Sequence, residues 1–273
     1  MVEAENILKL DSLVVDYIHR RRAPWWKRRT LVAVNGVSLS LAKGEALGIV
    51  GESGGGKSTL LKAICKFVPI RSGHIFIDGV DVTHFSQKEF SPFRKKIQMI
   101  PQDFCSTLDP RMSVEKILAE PLDIHFPHLT AREKFLRIGE LLDSVEMDDS
   151  LLHRLPRELS GGQRQRLSIA RGLAVNPELL MCDEIISACD LFSQKQILSL
   201  LTSLNRKKQI ALLFVSHNIA AVSHICRDII VMRDGKLLEW GTASEICTAS
   251  KHPYTKLLVN AIPHICNGDG LAP

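Results

Sequence analysis

The sequence contains no stretch approaching the about 18 consecutive apolar residues that a membrane-crossing helix requires, so no membrane span is expected. It opens on Met1, Val2, Glu3, Ala4, Glu5 and Asn6, an acidic start without the basic-then-apolar order of a secretory leader. Its seven cysteines (65, 105, 182, 189, 226, 247 and 266) are scattered, with no C-x-x-C pair. That distribution excludes a disulfide frame and a zinc site, and predicts reduced cytosolic thiols, several of them core fillers. The formal net charge of +5 is small for 273 residues and does not call for a nucleic-acid partner. Internal repeats and low-complexity segments are also missing. What is present is 45% hydrophobic and 24% charged, ample for one domain with a buried core and a subdomain.

The first informative phrase is Gly51, Glu52, Ser53, Gly54, Gly55, Gly56, Lys57, Ser58, Thr59, a complete G-x-x-x-x-G-K-S phosphate loop. An apolar run over 46–50 precedes it, and the pattern predicts a helix over 60–67 after it, the strand–loop–helix setting the motif needs. Glycines let backbone N–H groups crowd around phosphate oxygens where a Cβ would obstruct. Lys57 would neutralise the β- and γ-phosphates of a nucleoside triphosphate. Ser58 would ligate Mg²⁺, and the helix N-terminus would face the anion.

A second phrase, Leu159, Ser160, Gly161, Gly162, Gln163, places a Ser cap and two glycines at the start of another helix. That is a second anion-binding helix N-terminus in a chain whose own nucleotide already has a lysine-bearing loop. The phrase resembles the signature of ABC-family ATPases, and the resemblance continues through Arg164, Gln165, Arg166 and Ile169, Ala170, Arg171. It implies that Ser160, Gly161, Gly162 and Gln163 close on ATP held by a second ABC ATP-binding subunit.

The hydrophobic pattern fits that family's architecture. The first forty residues alternate as strands do, interrupted by a basic loop over 19–29 that is expected to be solvated. A hairpin is expected over 72–82, with Ile75 and Ile77 on one face. From about 113 to 159 the pattern is helical: Thr130 and Glu133 read as a capping box, with Phe135, Ile138, Leu142 and Val145 on one face. Short apolar strands follow at 179–182, 210–215 and 229–232, and Asp234 with Gly235 reads as a hairpin turn. Strands alternating with helices imply a parallel sheet. The fold expected is α/β: a phosphate-loop NTPase (RecA-like) core, an N-terminal antiparallel β subdomain, and an inserted α-helical subdomain over about 103–159. The ATP-binding domain is placed at 7–250 and a short C-terminal extension at 251–273.

The resemblance assigns further roles. Asp183, at the end of an apolar strand, would hold Mg²⁺, and Glu184 would polarise the water that attacks the γ-phosphate. Ile185 stands where the family usually has proline, a change expected to affect loop stiffness. Gln102 resembles the Q-loop glutamine that senses Mg²⁺ and the γ-phosphate. Ser187 to Asp190 resembles the D-loop that crosses the dimer seam, with Cys189 in place of leucine, and Ser193 with Gln196 reads as the next capping box. His217 resembles the switch histidine that contacts the γ-phosphate, with Asn218 in place of the usual aspartate. Tyr17, Trp25 and Trp26 are the candidates to stack on adenine.

Within the family the chain is most similar to ATP-binding subunits of oligopeptide, dipeptide and nickel importers. The segments carrying this are 97–103 with Leu108 to Arg111, Ala119 to Leu122, and His252, Pro253, Tyr254, Thr255. The implied function is hydrolysis of ATP to power import of oligopeptides or dipeptides. A nickel or other ABC transporter is the alternative, and a non-transport ABC ATPase a weaker one. Implied partners are a second ATP-binding subunit, integral-membrane permease subunits and, indirectly, an extracytoplasmic solute-binding protein, with the chain peripheral on the cytoplasmic membrane face. Met99, Phe104, Leu108 and Met112 are expected around a cleft that receives a short permease helix. Some relatives carry an iron–sulfur cluster on a cysteine-containing tail; with Cys266 alone in that region, none is expected here.

Overall fold

The computed structural model describes residues 5–18, 30–187 and 190–261. Strands β1 (Asn6–Ile18), β2 (Thr30–Ala42), β4 (Ser72–Ile77) and β5 (Val80–Asp81) form a sheet in the order β2-β1-β4-β5, with every neighbouring pair antiparallel. A second sheet has the order β10-β9-β3-β8-β7-β6. Its strands are β3 (Ala46–Val50), β6 (Ile97–Ile100), β7 (Leu179–Asp183), β8 (Ala211–Ser216), β9 (Asp228–Arg233) and β10 (Lys236–Thr242). All its pairs are parallel except that of β9 with β10. Asp234 (φ 49°) and Gly235 (φ 78°) supply the two left-handed residues that turn β9 into β10, as a two-residue hairpin loop requires.

The parallel strands are buried on both faces, so they read as unbroken apolar runs rather than alternating ones. Along β8, Leu212 and Phe214 join one core while Ala211, Leu213 and Val215 join the other. Helix α1 (Lys57–Ile64) lies in the second core, where Leu60, Leu61 and Ile64 are sealed between the two sheets. It stops three residues short of the expected end. Lys66 adopts φ 57° and its N–H turns back to Ala63 O, while its ammonium donates to the carbonyls of Val82, Thr83 and Phe85. Phe67 is left exposed.

The helical insert is built from α4 (Val114–His125) and α5 (Ala131–Ser144), which follow the short helices α2 (Gln87–Phe90) and α3 (Phe93–Lys96). Thr130 and Glu133 form the expected capping box on α5. Ile138, Leu142 and Val145 are buried, but Phe135 is 55% exposed. The buried face of α5 is rotated from the one the spacing suggested, because Leu141 takes an inward position beside Leu142 and Phe135 turns out. A second correction falls on α7 (Leu191–Lys208). Its cap is Asp190, whose Oδ1 accepts from the N–H groups of Phe192 and Ser193. Ser193 sits inside the first turn and donates to Asp190 Oδ2, so Ser193 and Gln196 form no capping box. An ionised carboxylate takes two amide donors at once and outcompetes the hydroxyl three residues on. Among the described residues the other α-helices are α6 (Gly161–Leu173), α8 (Ile219–Ile225), α9 (Ala243–Ala249) and α10 (Pro253–Asn260). Among the described residues no helix is long and apolar enough to cross a membrane.

Candidate active site

Parallel strands deliver their C-terminal ends to one edge of the sheet, where ligands collect in open α/β folds. Here β3 ends at Val50 before the phosphate loop, β6 before Gln102, β7 at Asp183 before Glu184, and β8 at Ser216 before His217. One cleft at this edge is lined by Ser53, Gly54, Gly56, Lys57, Ser58, Thr59, Gln102 and Glu184. Tyr17, Leu31, Val32, Ala33, Asp234 and Gly235 complete it. Gly56 is left-handed at φ 96°, and a Cβ there would lie 2.1 Å from Ala33 O. The backbone can pass only because the side chain is missing.

Glu184 is the centre of the polar cluster. Its carboxylate is 3.6 Å from Lys57 Nζ and 3.5 Å from His217 Nδ1, and it accepts the side-chain amide of Gln102 at 3.2 Å. It is only 7% exposed and adopts φ 47°, a left-handed conformation rare for a non-glycine residue and typical of functional sites. Its N–H is held by Val215 O at 2.9 Å, and its carbonyl accepts from the Ser187 hydroxyl at 2.8 Å. Ile185, in the usual proline's place, is buried in the core.

Lys57 Nζ donates to the carbonyls of Gly51 at 2.7 Å and Glu52 at 2.8 Å. Burial pushes its ammonium below the ordinary lysine range, against the pull of the Glu184 charge. Asp183 is 3% exposed. Burial pushes its carboxyl up, the Ser58 hydroxyl donating to Oδ1 at 2.9 Å draws it back, and Glu184 adds to the rise. A buried, raised carboxylate beside a serine hydroxyl is a pair of hard oxygens suited to a small divalent cation.

Ser160, Gly161, Gly162 and Gln163 lie apart from this cleft. They line another, together with Phe104, Cys105, Asp190 and Phe192. Ser160 caps α6, its Oγ accepting from Gln163 N–H while Gln163 Oε1 accepts from Ser160 N–H. A Cβ on Gly161 would meet nothing within 4 Å, so the helix start is bare.

Several expectations resolve differently. Asn218 caps α8 by accepting from Ala221 N–H, a structural duty. Phe104 and Leu108 are buried at 8% and 3%; both pack into the core, and Phe104 borders the Ser160 cleft instead of the groove expected to take a permease helix. A surface groove beside them is lined by Met99, Pro101, Thr107, Ile124 and His125. Trp25, Trp26, Cys189 and Cys266 lie outside the described residues; of the adenine candidates, Tyr17 lines the cleft. The sequence reading missed the Asp234–Gly235 turn as part of the site. It registered only as a hairpin, yet Gly235 N–H donates to Gly55 O at 3.0 Å.

A phosphate loop, a carboxylate–glutamine–histidine cluster at the same sheet edge, and a bare Ser-Gly-Gly helix start in a separate cleft define the ATP-binding cassette class of ATPase. The chain belongs to the ABC transporter family, whose model matches residues 34–187. A second model, the oligopeptide/dipeptide transporter C-terminal region, matches 238–272. The oligopeptide transport ATP-binding protein OppF of Haemophilus influenzae is 44% identical over 237 residues, spanning 87% of this chain and 71% of that protein. A putative peptide import ATP-binding protein of Brucella abortus is 38% identical over 265 residues, covering 97% and 79%. Among solved structures, the dimeric post-hydrolysis state of the cassette MJ0796 bound to ADP and Pi superposes with a TM-score of 0.77 at 28% identity. That match covers 86% of this chain and 98% of the other.

Proposed function

We propose that the chain hydrolyses ATP to drive import of oligopeptides or dipeptides, as one of two cassettes bound to membrane permease subunits at the cytoplasmic membrane face. The observation that carries the ATPase reading is the meeting of Lys57, Gln102 and His217 on Glu184. In this reading the phosphate loop cradles the triphosphate with its backbone amides, and Lys57 leaves its two carbonyls for the β- and γ-phosphates. Ser58 and Asp183, with Gln102 near them, would hold Mg²⁺, which supplies charge neutralisation to the phosphates. Glu184 orients and polarises the attacking water, and His217 steadies the γ-phosphate side. Tyr17 stacks on the adenine.

The separate cleft of Ser160, Gly161, Gly162 and Gln163 supports closure over a partner's nucleotide, since these residues do not line the chain's own. The dimeric cassette among the structural relatives agrees with that arrangement. Catalysis is then positioning and electrostatics across a sandwich, with the helical insert carrying the motion to the permease. Peptide import rests on the C-terminal region match and on what the relatives are named for. The test is co-purification of the chain with its membrane subunits, followed by ATPase assay with and without a peptide-loaded solute-binding protein. Peptide-stimulated hydrolysis supports the reading; stimulation by nickel instead would move the substrate assignment to the alternative.

A further inference from the structure

The run His252, Pro253, Tyr254, Thr255 takes no part in the activity above, yet the fold joins it to the phosphate loop. Glu239 on β10 accepts the backbone N–H of Lys251 at 2.6 Å and of His252 at 3.1 Å, which fixes where the segment begins. His252 Nδ1 then accepts the N–H of Tyr254 at 3.1 Å and caps α10. Pro253 occupies the first turn, where no N–H is needed. Tyr254 is thereby turned inward and is 3% exposed, with Arg233 Cζ 4.5 Å from its ring centroid. Its phenolic oxygen accepts the N–H of Glu52 at 2.9 Å.

That N–H belongs to the same peptide unit as the Gly51 carbonyl. A peptide is planar, so holding the N–H fixes the direction of the carbonyl at its other end. The Gly51 carbonyl is one of the two that hold Lys57 Nζ, and the Glu52 carbonyl is the other. Gly51 itself can flex, having no side chain, so the plane needs an outside restraint.

We propose that Tyr254 is a positioning residue for Lys57. By accepting from Glu52 N–H it orients the Gly51–Glu52 peptide, keeps the lysine's carbonyl cradle formed, and holds the empty phosphate loop ready for ATP. The C-terminal segment is thus a working part of the nucleotide site. This rests on the reading of the loop as an ATP site.

The test uses the full chain and ATP itself. Tyr254→Phe keeps the ring, its burial and the Arg233 contact, and removes only the acceptor oxygen. ATP affinity should fall about three- to tenfold, the range of one hydrogen bond, with thermal stability close to wild type. In the assembled transporter KM for ATP should rise by a similar factor while kcat stays within about twofold, because Lys57 has left its cradle once ATP is bound. Leu257→Ala, on the exposed side of the same helix, should change neither. Wild-type affinity and KM in Tyr254→Phe would overturn the proposal, as would a fall in kcat at constant KM or an equal loss in Leu257→Ala. A wild-type chain that fails to bind ATP would overturn the ATP-site reading as well, and so separates the two failures.

Discussion

Gln102 donates its side-chain amide to Glu184 Oε2 across 3.2 Å, tying the residue that opens the helical insert to the carboxylate facing the phosphate loop. A displacement of Gln102 with the insert would therefore break or re-aim a contact of that carboxylate.

Glu184→Gln should retain ATP affinity within about threefold and lose turnover by at least about 100-fold, since the amide keeps the shape but not the charge that orients water. Lys57→Ala should fail one step earlier, at ATP binding. Equilibrium binding to the isolated chain and phosphate release from the assembled transporter separate the two. Normal turnover in Glu184→Gln would remove its assigned role.

Asp183→Asn should stabilise the nucleotide-free chain at neutral pH while abolishing Mg²⁺-dependent hydrolysis. Burial holds the Asp183 carboxyl above its unfolded value. Its contribution to folding is thus complete below the ordinary aspartate range and is lost as pH rises through the raised value. Lys57, depressed by burial, opposes folding while charged, and that opposition is relieved as pH rises through its lowered value. A gain of about 2–4 °C in Tm is expected for Asp183→Asn, the shift that about 1 kcal/mol gives in a chain of this size. The gain should shrink in acid, where the wild-type carboxyl is protonated too. A variant that melts below wild type at neutral pH would contradict the assigned direction.

Ser160→Arg should leave ATP binding by the isolated chain unchanged, because Ser160 lines a cleft apart from the phosphate loop. It should block ATP-dependent dimerisation, measured by size-exclusion chromatography in the Glu184→Gln background. Loss of affinity in the isolated chain would place the signature on the wrong nucleotide.

A cysteine at Ile124, 67% exposed on the groove wall, should cross-link to a cytoplasmic permease loop, and the yield should change with ATP. Positions 104 and 108 should not, since both side chains are buried. Cross-links formed only from the His252 end would put the membrane on the opposite side.

The parts of the site legible in the sequence were those whose chemistry is contiguous. Gly51 to Thr59 and Leu159 to Gln163 each carry their backbone requirements within a few residues, so glycine, lysine and serine spacing sufficed. The parallel strands were visible because burial on both faces leaves them unbroken apolar runs. Competition between neighbours was harder to read: Asp190 against Ser193 for one helix start, or Leu141 against Phe135 for one inward face. Least legible was the contact of Tyr254 with Glu52, which exists only once β10 and α10 have brought the chain's end back to the loop.

The strand order has a consequence for how the protein is made. β3, which leads into the phosphate loop, is hydrogen-bonded on both sides by strands that come late in the chain, β8 and β9. On a ribosome it waits on the order of ten seconds or more for those partners, an apolar strand with two open edges. The strand that leads into the nucleotide pocket therefore has no early, local partner, and nucleotide affinity is expected only in a chain whose synthesis has passed β9.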